Sequence, residues 1–119
     1  MNLINGQMYW SISPSVESEN HGETRPVIPW QGRLVIENRN GGKVLVLYRF
    51  SKETGEIRQN SNAYAICGDP DRPQQIFETE EQANTAYILE SINYIQRQVY
   101  NLCEFTNHVN KFALSKLVE

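Results

Sequence analysis

The sequence predicts an α+β domain in which an antiparallel β-meander of three to five strands is followed by, and packed against, a long C-terminal helix. Three observations carry this. Short β-prone runs separated by turn residues fill the stretch from residue 7 to residue 78. The apolar period then changes from two to alternating steps of four and three, from residue 79 to residue 118. No proline or glycine follows Pro73, so nothing compels that second region to stop. At 119 residues, 39% hydrophobic and 21% charged, the chain has the size and composition of a single globular domain, residues 1–119.

The first strand is expected at Met8–Ser13 (MYWSIS), rich in aromatic and β-branched residues and closed by Pro14. PSVESENHGETRPVIP, residues 14–29, has no period and reads as a long loop, of the kind that is more often functional or disordered than decorative. Trp30 to Phe50 reads as a hairpin, because Asn40-Gly41-Gly42 tolerates positive φ between two β-prone runs. A turn at Lys52-Glu53-Thr54-Gly55 leads into Glu56–Gln59, and NAYAIC, residues 62–67, adds a fourth strand. Gly68-Asp69-Pro70-Asp71-Arg72-Pro73 is a rigid turn, and Gln75–Phe77 a short edge strand.

Thr79-Glu80-Glu81-Gln82 is a capping box, with acids placed to suit the helix dipole. Ile88, Ile92, Ile95, Val99, Leu102, Thr106, Val109 and Ala113 form the apolar stripe, widened by Leu89, Cys103 and Phe105. An unbroken helix of 40 residues would span about 60 Å, whereas a compact domain of this length is roughly 35 Å across. Thr106-Asn107-His108-Val109-Asn110 is the weakest helix-forming patch. A bend or break near residues 106–110 is therefore expected, giving one long and one shorter helix.

Val44 to Tyr48 (VLVLY) is apolar at every position, so both of its faces need a cover. The helix is expected to cover one, burying Val44, Val46, Tyr48 and Phe50 or else Leu45 and Leu47. For the other face the candidates are an N-terminal strand curling over, the terminal helix folding back, or a second molecule as in a homodimer. Intramolecular closure is the preferred reading.

The net charge of −3 is unevenly distributed. Residues 25–60 carry seven bases against three acids, and residues 61–90 carry six acids against one base. No run approaches the roughly 20 apolar residues of a membrane span, and the opening MNLINGQMYW does not read as a signal peptide, so a cytoplasmic location without membrane partners is expected. Cys67 and Cys103 have no neighbouring cysteine and read as reduced, small apolar residues.

Catalytic and metal-binding patterns find little support. There is no CxxC, no HxxxH, no GxSxG and no glycine-rich phosphate loop, so no metal, cofactor or catalytic residue is assigned. A thiol enzyme would need Cys67 beside His21 or His108, and Asp69 with Asp71 would need a desolvating cleft to act as an acid–base pair. The Phe77-Glu78-Thr79-Glu80-Glu81 junction is common to unrelated α+β proteins and carries no family information.

The expected function is a small non-catalytic protein-binding module, a regulator or inhibitor that occupies another protein's surface. Such proteins are frequent among phage and mobile-element products. The candidate contacts are a basic strand edge (Arg33, Arg49, Arg58), Trp30, and an acidic patch at Asp69, Asp71, Glu80 and Glu81. The alternative is a single-stranded nucleic-acid binder that uses the cations of the strand region around Trp30, Tyr48 and Phe50.

Overall fold

The computed structural model describes residues 2–14, 25–50 and 64–117. Strands β1 (Met8–Ser11), β2 (Trp30–Arg39), β3 (Gly42–Arg49) and β4 (Tyr64–Ile66) form an antiparallel meander. Two short strands, β5 (Gly68–Asp69) and β6 (Arg72–Pro73), make a separate small hairpin, and β7 (Ile76–Phe77) returns to pair with β1. The resulting five-stranded sheet has the order β4-β3-β2-β1-β7 and is followed by helix α1 (Glu80–Leu117), an α+β arrangement. Glu56–Gln59, one of the expected strands, lies outside the described residues.

The β2–β3 hairpin forms where the turn chemistry placed it. Asn40 and Gly41 both have positive φ, 52° and 82°, as a two-residue turn matching strand twist demands. Along β2 the buried side alternates as Trp30, Gly32, Leu34 and Ile36, and the register pairs Leu34 with Leu47 and Ile36 with Leu45. These residues join Tyr9, Ala65, Cys67 and Ile76 in one core on the concave side of the sheet. Curling brings its parts together: Cys67, just beyond β4, stands 4.0 Å from Ser11 of β1, although two strands separate them in the sheet. In a flat sheet that separation would be roughly 14 Å.

β3 is buried at four consecutive positions, Leu45 to Tyr48, so both of its faces are covered. Leu45 and Leu47 belong to the concave core. Val46 and Tyr48 face the other way with Val35, and there Glu37 and Arg39 of β2 meet Tyr48 and Tyr64. Arg39 forms an ion pair with Glu37 at 2.9 Å, and its guanidinium lies 5.2 Å from the Tyr64 ring centre. The Tyr48 hydroxyl donates to the Glu37 carboxylate.

The helix departs from expectation in two respects. It is continuous through residues 106–110, where a break was expected, because each weak helix former is accommodated within the spiral. The Thr106 hydroxyl, for example, donates to the Leu102 carbonyl at 2.8 Å. The helix neither folds back nor lies along the meander. It meets the sheet at β7 and β1 through its first turns, and the rest projects. The molecule accordingly measures 67 × 33 × 30 Å, with a radius of gyration of 19.4 Å against the about 13.5 Å of a compact chain this long.

Candidate functional site

The start of α1 is fixed by its capping box. Thr79 Oγ1 accepts from the Gln82 amide at 3.1 Å, and Gln82 Oε1 accepts in return from the Glu78 amide at 3.2 Å. Four residues into the helix, Ala83 is fully buried. Ala86, Tyr87, Glu90, Ser91 and Tyr94 are half-buried, and the face they share with Ala83 is the one turned to the sheet. Small side chains at 83, 86 and 91 let the helix approach closely.

The apolar stripe lies elsewhere on the helix. Ile88, Ile92, Ile95, Val99, Leu102 and Val109 are each 46–64% exposed, and Phe105 and Phe112 more than 60%. The stripe is expected to bury itself on the meander; instead Ile88 and Ile92 point away from the sheet, and the residues from Val99 on lie on the projecting part of the helix, beyond the sheet. The reason is spatial: Ala83 and Ile88 are five positions apart, about 140° around a helix of 3.6 residues per turn. One face cannot serve both. Monomers seldom leave an apolar surface of this extent in water.

A second regularity follows the same period. Between Gln82 and Ser115 the charged residues are Glu90, Arg97, Glu104 and Lys111, each seven positions from the next. In a heptad abcdefg with Ile92, Val99 and Thr106 at a and Ile88, Ile95, Leu102 and Val109 at d, all four occupy f, the position farthest from the seam. The stripe alone identifies an amphipathic helix. The seven-residue charge spacing, legible in the sequence, gives the helix a heptad period with the stripe at a and d.

Where the helix meets the sheet, a groove opens on each flank of the stripe. One, of about 660 Å³, is lined by Val27, Trp30, Arg49, Tyr87, Ser91 and Tyr94 among others. The other, of about 590 Å³, is lined by Ile76, Phe77, Gln82, Thr85 and Leu89 among others. Both open beside the exposed stripe.

The residues expected to contact a partner are scattered. Trp30 is 6% exposed and anchors the core, its indole N–H donating to the Ser13 carbonyl at 2.8 Å, with only a margin facing the first groove. Arg49 lines that same groove. Arg33 pairs with Tyr48 and Arg49 with Gly32 in the β2–β3 ladder, so the two arginines point to opposite faces. Neither strand is an edge of the sheet, and the expected basic strand edge is not formed by these two residues. Arg58 lies outside the described residues. Asp69 and Asp71 are exposed, and Asp69 Oδ1 accepts from the Asp71 and Arg72 amides at 2.9 and 2.7 Å, the work of a turn former. Glu80 and Glu81 are exposed in the first turn of α1.

The titratable groups show the same division. Cys67 is fully buried and its thiol is pushed up to about 11 by burial, against a weaker opposing hydrogen bond from Ser11. His108 sits about 42 Å along the helix from Glu80, remote from that thiol. The Tyr48 hydroxyl, and then Arg39, hold Glu37 below the usual carboxylate range. Burial, and then Glu37, raise Tyr48. Tyr64 and Glu37 keep Arg39 charged. Trp30 and Tyr48, the aromatic rings of the nucleic-acid reading, are buried on opposite faces of the sheet. Among the described residues no three His, Cys, Asp or Glu side chains are grouped to hold a metal ion, and no helix is long and apolar enough to cross a membrane. No family model, curated protein or solved structure matches the chain.

Proposed function

We propose that this protein is a non-catalytic protein-binding module whose working surface is the outward stripe of α1, and that it regulates or inhibits by occupying a protein surface. The observation that carries the reading is the exposure of Ile88, Ile92, Ile95, Val99, Leu102 and Phe105 along a helix of which only the first turns pack on the sheet. An apolar ridge rimmed by polar residues is how helices enter grooves and bundles on other proteins. Charged side chains are absent from its centre and sit on the far side, the composition of a recognition core.

The test is photo-cross-linking in the cells that make the protein, with a benzophenone amino acid replacing Phe105 or, as a control, Asp71. A discrete protein adduct is expected from position 105 and none from position 71. No adduct from position 105 overturns the reading.

A further inference from the structure

Resting on that reading, we infer that the stripe is occupied by a second copy of this chain, running antiparallel, so that each helix tip completes the two grooves beside the other molecule's sheet. Four features of the molecule lead to this occupant.

The first is area. Eight large side chains of the stripe, each more than two-fifths exposed, offer on the order of 100 Å² apiece. Their total approaches the roughly 800 Å² per partner of a standard stable interface.

The second is self-complementarity of the layers. If residues equidistant from the point between Tyr100 and Asn101 face one another, Val99 meets Leu102, Ile92 meets Val109, Ile95 meets Thr106 and Ile88 meets Ala113. Every a residue then meets a d residue, as an antiparallel pair requires. No charge lies at e or g from Gln82 to Ser115, so an identical strand meets no repulsion along the seam.

The third is charge at the ends. Glu80 and Glu81 open the helix and Lys116 lies in its last turn. Antiparallel pairing sets each acidic start beside the partner's basic end and opposes the two helix dipoles. Parallel pairing would stack Lys116 on its own copy in a d layer.

The fourth is the grooves, which distinguish the two directions most sharply. Ser91, at g, lines the first groove with Tyr87 and Tyr94. In the antiparallel register its flanking neighbour is Phe112 of the second copy, a large ring set against a small residue and an apolar recess. In a parallel register the neighbour is Gln96, and the recess stays open. On the other flank Gln82 of the second groove faces Leu117 of the second copy.

The experiment uses the full chain with Cys103→Ser, measured by size-exclusion chromatography with light scattering from low to high micromolar concentration. Ile92→Cys and Val109→Cys versions are then oxidised, each alone and as an equilibrated mixture of the two. A mass of two chains is expected, with a disulfide between Cys at 92 of one molecule and Cys at 109 of the other, and none between two copies of the Ile92→Cys chain. Leu102→Asp should weaken association at least 100-fold while circular dichroism still reports the sheet and helix. A monomer with its helix intact, a four-chain mass, or self-linkage of the Ile92→Cys chain overturns the inference. Photo-adducts from position 105 to a different protein, combined with a monomeric purified chain, would sink the self-pairing and leave the binding-module reading standing.

Discussion

Ser11 and Cys67 touch across the hollow of the sheet, Oγ to Sγ at 4.0 Å, although β2 and β3 lie between their strands. That contact records the curl, and both residues are completely excluded from water. The core therefore closes over a hydroxyl and a thiol, each of which finds a partner: the Ser11 hydroxyl also accepts from the Ser13 amide at 3.1 Å.

Burial should make the two cysteines chemically unlike. Cys67, with its thiol raised to about 11, is expected to resist iodoacetamide at pH 8, whereas the exposed Cys103 reacts. Mass spectrometry of the labelled chain reads the difference directly. Equal labelling of both would show that the curl opens readily.

The same thiol gives a pH dependence. The folded state keeps its proton to a higher pH than the unfolded chain, whose thiol loses it near 9. This contribution is complete below about pH 9 and is lost as pH rises toward about 11, amounting to roughly 2–3 kcal/mol. The stability advantage of the parent over Cys67→Ala, followed by urea denaturation, should shrink across that window.

At the acid end the sign reverses. Glu37 is held below 4.5 by Tyr48 and then Arg39, so the folded state binds fewer protons there than the unfolded chain. Its contribution is present above about pH 4.5 and drains away as pH falls through the folded value. Tyr48→Phe should cost about 1–2 kcal/mol at pH 7 and progressively less below pH 4.5. A gap that stayed constant down to pH 3 would contradict the assignment.

Gly32 should tolerate no side chain. A Cβ there would overlap the Tyr48 carbonyl and come within 2.9 Å of Leu47 Cγ, and backbone cannot yield as a flexible chain end would. Gly32→Ala is expected to lower stability by about 2–3 kcal/mol. Gly42→Ala, whose nearest neighbour is 3.9 Å away, should cost far less.

The capping box offers a local readout. Thr79→Ala removes the oxygen that accepts from the Gln82 amide and should destabilise by about 1 kcal/mol. Hydrogen exchange should quicken first at the amides of residues 80–83, where the helix joins the sheet.

Much of this architecture was legible because local chemistry decided it. Asn40-Gly41 could make only a tight hairpin, and Thr79-Glu80-Glu81-Gln82 could only begin a helix. The uninterrupted apolar run from Val44 to Tyr48 required two covers, and Leu45 to Tyr48 are buried. What escaped was long-range. Which side of α1 faces the sheet depended on Ala83, Ala86 and Ser91, small residues that carry no hydrophobic signal. A compact domain would require a break at residues 106–110, but the helix projects and its backbone needs none. Among the candidate contacts, Arg33 and Arg49 share one basic stretch of the sequence, but strand register sends them to opposite sides. The seven-residue spacing of Glu90, Arg97, Glu104 and Lys111 is written in the sequence, and it lies opposite the apolar face that a lone globule would leave in water.

A rod joined to its base only through the turns after Thr79 behaves as a lever. With about 57 Å from Glu80 to Leu117, a swivel of about 5° at the root displaces the tip by about 5 Å. Whatever grips the far end therefore dictates the angle at which the curled sheet is held out, and a side-chain change near Ala83 would be felt most by a surface that never touches it.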